Sequence, residues 1–185
     1  MPEKVLILYG TRFGATTGTS EEIAGVLRTE GHEVKVVNTK KEKVSDISGY
    51  DLIIVGSSIM MGRWTGEPEK FLKKFQKELA AKKLALFVSS GSLPILEREG
   101  KTEELEKEKS KYLDAKVARY NLHPLATGWF GGTWNVNNKP WWSGGAMKAI
   151  KVKLNEVDFK ETEPGVYDMR DWDAIRDWAK KLVEK

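Results

Sequence analysis

The sequence predicts one three-layer α/β domain over residues 1–185, in which a parallel sheet carries helices on both faces. Three observations support this class. Short, continuous apolar runs recur along the chain, as in strands that are buried on both faces. Segments whose apolar residues have helical spacing alternate with these runs, and the connections are short. The length of 185 residues suits a single domain with a full core.

Five segments are predicted to be strands. The first is a run of branched aliphatic residues that closes with Tyr9 and is ended by Gly10. In the second, Val34, Val36 and Val37 give the β-branched content that strands favour. The predicted strands cover residues 5–9, 33–38, 51–56, 84–88 and 124–130.

Four helices are predicted from apolar residues that repeat at helical spacing. In the first, Ile23 and Leu27 share one stripe, and Gly31 stands where the helix ends. Asp168 or Asp171 is expected to cap the last helix. The predicted helices cover residues 16–30, a segment that opens at Pro68, a solvated amphipathic helix at 97–116, and residues 172–182.

The part of the chain between the last strand and the last helix has an unusual composition. No clear helix or strand is predicted for residues 131–171 beyond a short apolar piece at 146–154, so we treat this segment as an elaboration of the domain. Residues 115–155 contain six basic residues and no acid, although the net charge of the chain is only +4. Residues 129–142 add four of the seven tryptophans.

This basic, aromatic segment has two interpretations. It could receive an anion or an anionic membrane surface, because it offers aromatic area and no repelling charge. Alternatively, its tryptophans fill the core while its lysines stay solvated. Nucleic-acid binding is not predicted, because the basic residues do not cluster on one helix.

Several classes of protein are excluded by composition. The chain has no cysteine and only two histidines, so disulfides, thiolate nucleophiles, iron–sulfur clusters and histidine-rich metal sites are not expected. No apolar run reaches the ~18–20 residues that span a bilayer. The first residues lack the features of a signal peptide, so a cytoplasmic location is expected, with membrane contact confined to the surface.

Three loops follow strands of the predicted sheet and share a composition. Residues 11–17, 56–64 and 89–93 are rich in Gly, Ser and Thr. Ligands of open parallel sheets bind beyond the carboxyl ends of the strands, where these loops meet. The sequence therefore predicts a ligand site at this edge.

The first of these loops has the composition of a phosphate site. It opens a helix, whose unpaired N–H groups and positive dipole end attract an anion. Gly14 allows a close approach, Thr11, Thr16 and Thr17 add hydroxyl groups, and Arg12 adds charge. The pattern suits one phosphate monoester and matches neither the Walker nor the dinucleotide glycine motif. The alternative is a polar turn in which Thr16 only caps the helix.

The pattern Thr-x-x-Gly-x-Thr after a buried first strand resembles the flavodoxin phosphate loop. Residues 56–64 and 89–93 fall where flavodoxins place the two loops that hold the flavin ring. More narrowly, Thr11-Arg12, residues 56–59 with Gly62, and the aromatic, basic stretch resemble the flavodoxin-domain group that includes menaquinone-dependent protoporphyrinogen dehydrogenase. This resemblance implies a flavodoxin-like sandwich with strand order 2-1-3-4-5.

The resemblance also implies FMN as the cofactor and assigns residues to it. Phe13 stands where many flavodoxins have a hydroxyl residue, so one phosphate contact is expected to be lost. Trp64 is the candidate for stacking on the ring, and the alternative is that it packs on the helix that opens at Pro68. The phosphate loop would comprise Thr11, Arg12, Phe13, Gly14, Ala15 and Thr16. Ser58, Ile59, Met60 and Gly62 would line one side of the ring, and Ser90, Gly91 and Ser92 the other.

The function implied is an FMN-dependent oxidoreductase that acts on a flat redox substrate, such as a protoporphyrinogen or a quinone. Residues 129–142 would then cover or flank the substrate. A one-electron carrier that docks onto redox proteins is the alternative, and a flavin-free binding module is the third hypothesis. Arg63, Tyr120 and His123 are the nearest acid–base candidates by residue type, and no catalytic residue is assigned.

Overall fold

A computed structural model describes residues 2–137 and 144–184, and it confirms the predicted α/β fold class. Five parallel strands form the central sheet, with β1 between β2 and β3 and with β5 and β6 beyond β3. The strands are β1 Lys4–Gly10, β2 Glu33–Asn38, β3 Leu52–Met60, β4 Arg63–Trp64, β5 Lys83–Ser90, β6 Ala126–Gly131, β7 Thr133–Asn135 and β8 Val166–Asp168.

The predicted order 2-1-3-4-5 holds for the five parallel strands, and three short strands are added to it. The two-residue strand β4 pairs antiparallel with the end of β3. The strands β7 and β8 form a separate antiparallel pair. These additions were not predicted, because two or three residues are too few to give a recognisable alternation of apolar and polar side chains.

Helices cover both faces of the sheet and produce two main cores. On one face, Ile23 and Leu27 of the first helix pack with Ile175 of the last helix against the side chains of Ile7 and Ile54. On the other face, several of the helices between the first and the last contribute buried side chains to a second core. The helices are α1 Ala15–Thr29, α2 Gly66–Lys74, α3 Gln76–Leu79, α4 Leu93–Arg98, α5 Thr102–Lys109, α6 Ala115–Arg119, α7 Gly144–Glu156 and α8 Trp172–Lys181.

Two of the predicted helices differ from those observed. The segment predicted as one helix over residues 97–116 is divided at Gly100, whose φ of +67° lies in the left-handed region. It continues through one π-helical turn, Ser110–Asp114, and buries Leu105, Tyr112 and Leu113 instead of standing in solvent. The helix predicted to open at Pro68 begins at Gly66 and ends at Lys74.

The predicted elaboration forms a small structural unit with its own core. The pair β7–β8 and helix α7 surround the buried side chains of Val136, Leu154, Tyr167 and Met169. This unit is closely joined to the end of β6, because a Cβ at Gly131 would come within 1.9 Å of the Met169 carbonyl oxygen. The last helix, α8, begins after Asp171, whose Oδ1 accepts a hydrogen bond of 2.9 Å from the amide of Ala174.

Trp64 lies in the main core and does not offer an open ring for stacking. Its residue is 6% exposed, and its side chain packs in the cluster that contains Leu72 and Tyr112. The indole Nε1 donates a 2.8 Å hydrogen bond to the carbonyl oxygen of Tyr112, inside the π-helical turn. Trp64 therefore has a structural role in the core, because β4 folds its side chain inward, and its contact with the flavin ring stays a prediction.

We expect Trp64→Phe to lower the free energy of unfolding by about 0.5–1.5 kcal/mol more than Trp178→Phe, since only Trp64 loses a hydrogen bond. Trp178 is the matched control, because its buried Nε1 has no partner among the described residues. Urea unfolding of both variants measures the difference. Equal losses would contradict the structural role of the Trp64 hydrogen bond.

Candidate functional site

The loop after β1 closes on itself and leaves the start of α1 open. The amide of Gly14 donates to Thr11 Oγ1 at 3.0 Å, which fixes the turn. Gly14 has a φ of +93°, a conformation that strongly favours glycine, and α1 begins at the next residue. The amides of Ala15 and Thr16 in the first turn have no intrahelical partner, as at any helix start. Arg12 and Phe13 are exposed on the outside of this loop, and Phe13 is 65% exposed.

The side chain of Thr16 is the most informative group of this loop. The residue is fully buried, yet its Oγ1 has no hydrogen-bond partner among the described residues. The hydroxyl does not cap the helix, because the N-cap residue is Gly14. A buried hydroxyl without a partner is costly, so it indicates a group that would complete it.

The second loop is a tight hairpin rather than an open loop. Strand β3 continues to Met60, and Ile59 pairs with Trp64 across β4. The two turn residues, Met61 and Gly62, both have positive φ angles, of 50° and 73°. Met61 is 91% exposed at the tip. Below it, Ser58 has a buried Oγ without a partner among the described residues.

Two side chains from the π-helical turn lie over this hairpin, and the sequence did not identify them. A Cβ at Gly62 would come within 3.2 Å of Lys111 Nζ and 3.9 Å of the Tyr112 hydroxyl oxygen. Burial, with a hydrogen bond to Glu108, raises the pKa of Tyr112, so its hydroxyl stays protonated. Lys111 places a positive charge beside the hairpin, and its Nζ lies 3.7 Å from Glu108 Oε1.

The third loop follows β5 and leads directly into α4. Ser90 Oγ and Ser92 Oγ lie 2.9 Å apart, and the amide of Ser92 donates to Ser90 Oγ at 3.3 Å. Just before them, the Oγ of the buried Ser89 has no partner among the described residues. Gly91 lies between the two serines and has no side chain, so another residue can pack directly on its backbone.

The elaboration packs on this third loop. A Cβ at Gly91 would come within 2.3 Å of Trp134 Nε1, and one at Gly132 within 3.3 Å of the Gly91 amide nitrogen. Trp134 Nε1 is itself buried and has no partner among the described residues. The predicted covering segment, residues 129–142, thus reaches the site through Trp134, while residues 138–143, with Trp141 and Trp142, lie outside the described residues.

A further residue that the sequence did not identify, Arg170, joins the elaboration to the first loop. Its guanidinium forms a bidentate pair with Asp168 (Nε–Oδ1 2.8 Å, Nη2–Oδ2 2.6 Å), and Nη1 donates to the Ala15 carbonyl oxygen at 3.2 Å. Burial alone would raise the pKa of Asp168, but the hydrogen bonds from Arg170 outweigh it and lower that pKa. Gly18 makes room, since a Cβ there would come within 2.4 Å of Nη1.

The acid–base candidates do not gather at this edge. His123 is exposed in the connection before β6. The residues that follow it pair with the start of β5, so His123 lies at the edge of the sheet opposite the three loops. The hydroxyl of Tyr120 donates to Glu69 Oε1 at 2.9 Å and is buried in the main core. Arg63 is exposed beside the hairpin tip. The structure therefore brings no two of these three candidates together.

Within residues 2–137 and 144–184, no group of three acidic or histidine side chains is placed to hold a metal ion. No helix in the same part of the chain is both long and apolar enough to cross a membrane. The three loops offer hydroxyl groups and backbone amides, and the cations Arg12, Arg63 and Lys111 lie beside them.

The arrangement fits a planar ligand that carries a phosphate. The open helix start and the Thr16 hydroxyl suit the phosphate. The hairpin and the third loop, which follow neighbouring strands β3 and β5, would lie on either side of a flat ring. The unpartnered hydroxyls of Ser58 and Ser89 lie along these two strands.

Comparison with known proteins agrees with this geometry. The chain is 23% identical to protoporphyrinogen IX dehydrogenase [quinone] of Escherichia coli K12 over 181 residues, which cover 97% of this chain and 94% of that protein. Among solved structures, a short-chain flavodoxin associated with a bacterial microcompartment aligns with a TM-score of 0.58 at 13% identity, covering 99% of this chain and 97% of that one. Reduced Megasphaera elsdenii flavodoxin aligns with a TM-score of 0.52 at 21% identity, covering 83% and 96%.

The structural similarities, all below 25% identity, establish the fold alone. A family match adds to them, because residues 6–162 match the flavodoxin domain. The match includes all three loops of the candidate site and most of the elaboration, and it supports FMN as the cofactor, as the sequence predicted. The chain therefore belongs to the flavodoxin-domain family.

Proposed function

We propose that this protein is an FMN-dependent oxidoreductase that transfers electrons to or from a flat redox substrate of the quinone or porphyrinogen type. One observation carries the proposal. Thr16, Ser58 and Ser89 belong to three different loops or strand ends at one edge of the sheet, and each holds a buried hydroxyl without a partner in the described chain. A single phosphate-bearing planar molecule would pair with all three.

Each loop has a separate part in holding the cofactor. Thr11, Gly14 and the first turn of α1 would bind the phosphate, with Arg12 as an exposed cation. Ser58, Ile59, Met60 and Gly62 would form one wall for the ring, and Ser90, Gly91 and Ser92 the other. When bound, FMN supplies the redox chemistry by accepting electrons from one substrate and passing them to the next.

The positions of two tryptophans favour an enzyme over a sealed carrier. Trp64 is buried, so the hairpin presents no aromatic ring of its own to cover the flavin. Trp134 instead brings an aromatic side chain from the elaboration to the third loop. A ring wall that comes from an added segment can also contact a second ligand. The E. coli relative is named as a dehydrogenase that uses a quinone, which agrees with such a ligand.

The exposed loop tips provide a surface for the partner. Phe13 and Met61 are strongly exposed and follow the neighbouring strands β1 and β3. Arg12 and Arg63 stand beside them, and both are exposed. Apolar tips flanked by cations suit an anionic membrane surface, where apolar quinones dissolve, and they also suit an acidic redox protein.

The electron carrier is the second candidate, and the same surface supports it. Anaerobic photoreduction of the FMN-loaded protein, followed by mixing with 2-methyl-1,4-naphthoquinone, separates the two functions. We expect rapid reoxidation that saturates with quinone concentration, as an enzyme requires. Reoxidation that rises linearly, together with fast reduction of carrier proteins, would support the carrier.

We expect Thr16→Val to weaken FMN binding about tenfold, the loss of one hydrogen bond to a charged group, and to leave riboflavin binding unchanged. Riboflavin lacks the phosphate, so the comparison isolates the phosphate contact. Thr29→Val is the matched control on the same helix, since that residue is exposed and its hydroxyl bonds, among the described residues, only to the carbonyl of Gly25. Calorimetric titration measures both ligands, and an equal loss for both would contradict the assignment.

We expect Trp134→Ala to lower kcat/KM for a quinone or a porphyrinogen about tenfold while FMN affinity stays within about twofold, because the indole faces a substrate more than the cofactor. Phe159→Ala is the control. It removes an aromatic ring from the same small core without touching Gly91. If both variants lose activity equally, Trp134 acts only through the stability of the elaboration.

A further inference from the structure

A cavity lies beside the third loop, between the elaboration and helices α4 and α5. It measures about 490 Å³. Its apolar walls come from Ile95 and Leu96 on α4, Ile150 on α7, and Trp134 on β7. Ser92 marks the end of the cavity that adjoins the third loop. This volume falls within the range of about 300–1,000 Å³ that is typical of small-molecule sites.

Trp134 is a wall shared by the cavity and the flavin loop. Its indole lies against Gly91, where a Cβ would approach Nε1 within 2.3 Å, and the same side chain lines the cavity. A ligand in the cavity would therefore be separated from the third loop by one indole ring and the backbone around Ser92. Of the residues proposed to hold FMN, only Ser92 lines the cavity.

The charges at the rim of the cavity balance each other. Helix α5 contributes Glu104, Lys107 and Glu108, and α7 contributes Lys153. Two acids and two bases give no net charge, so the rim offers no advantage to an anion or a cation. Lys153 is also engaged, since its Nζ lies 3.0 Å from Glu99 Oε1. The chemistry of the cavity thus suits a neutral, apolar molecule with a few hydrogen-bonding atoms.

We infer that this cavity binds a neutral quinone, next to the cofactor loop and separated from it by Trp134. The choice of a quinone among flat, neutral molecules rests on the proposed oxidoreductase function. The apolar walls would hold the ring system, and the Ser92 hydroxyl and the Lys107 ammonium belong to the lining and could donate to a carbonyl oxygen. A porphyrinogen, with its carboxylates, does not match a rim without net charge.

The test is binding of 2-methyl-1,4-naphthoquinone to the full chain, with and without FMN, followed by tryptophan fluorescence and calorimetry. Ile150→Trp fills the cavity from α7, and Leu96→Trp fills it from α4. Val152→Trp is the matched control, since Val152 lies on the same helix as Ile150 and is 51% exposed. Thermal unfolding checks that each variant folds. Because the two filling substitutions are on different helices, the test can still be made if one variant does not fold.

We expect both filling variants to bind the quinone at least about tenfold more weakly than the natural chain, and the Val152 variant to stay within about twofold. Naphthalene-1,5-disulfonate, a flat dianion, should bind more weakly than the quinone. The inference is overturned if the natural chain does not bind the quinone, if filling the cavity has no effect, or if the dianion binds better. Failure to bind FMN would instead contradict the proposed function, since quinone binding to the FMN-free chain is measured separately.

Discussion

The close packing of the elaboration on the third loop is the contact on which the character of the site depends. Gly91 and Gly132 lie close together, and a side chain on Gly91 would collide with Trp134. Gly131 is similarly confined by the Met169 carbonyl oxygen. These glycines allow the pair β7–β8 to pack against the edge of the parallel sheet where the three loops lie. The added unit therefore packs directly on the edge of the sheet where the three loops lie.

The site is also a place where the fold gives up stability. Each buried hydroxyl without a partner costs about 1–3 kcal/mol relative to a paired one. Thr16, Ser58 and Ser89 share this condition, and Met61 adds a residue with a φ of 50° that side chains other than glycine rarely adopt. Ser20 in α1 and Trp178 in α8 also have buried polar atoms without a partner in the described chain, but Thr16, Ser58 and Ser89 lie at or just after the ends of neighbouring strands, at the edge where the three loops lie. A ligand that pairs with these hydroxyls would recover part of the cost, so binding and stability are linked.

The sequence predicted the central sheet well, because its strands are continuous apolar runs and its loops carry distinct polar compositions. It also predicted the three loops, since the ends of parallel strands must share one edge. The sequence did not predict the role of short segments whose contacts are with residues far away along the chain. The inward turn of Trp64 depends on a two-residue strand and on the carbonyl of Tyr112, 48 residues away. No local pattern reports such a contact. Arg170 was equally invisible, because its meaning lies in Ala15, 155 residues earlier.

Residues outside the five-stranded sheet reach each of the three loops, and this explains how a common fold can serve a particular reaction. Arg170 binds the first turn of α1, Lys111 lies over the hairpin at Gly62, and Trp134 covers Gly91. Arg170 braces the first loop, Lys111 adds a second cation beside Arg63 of the hairpin, and Trp134 gives the third loop an aromatic ring that it lacks. A change in the elaboration can therefore alter the first loop through Arg170 and the third loop through Trp134 together. Because both residues belong to one packed unit joined by β7 and β8, a ligand held beside Trp134 would be coupled to the cofactor through a continuous set of contacts.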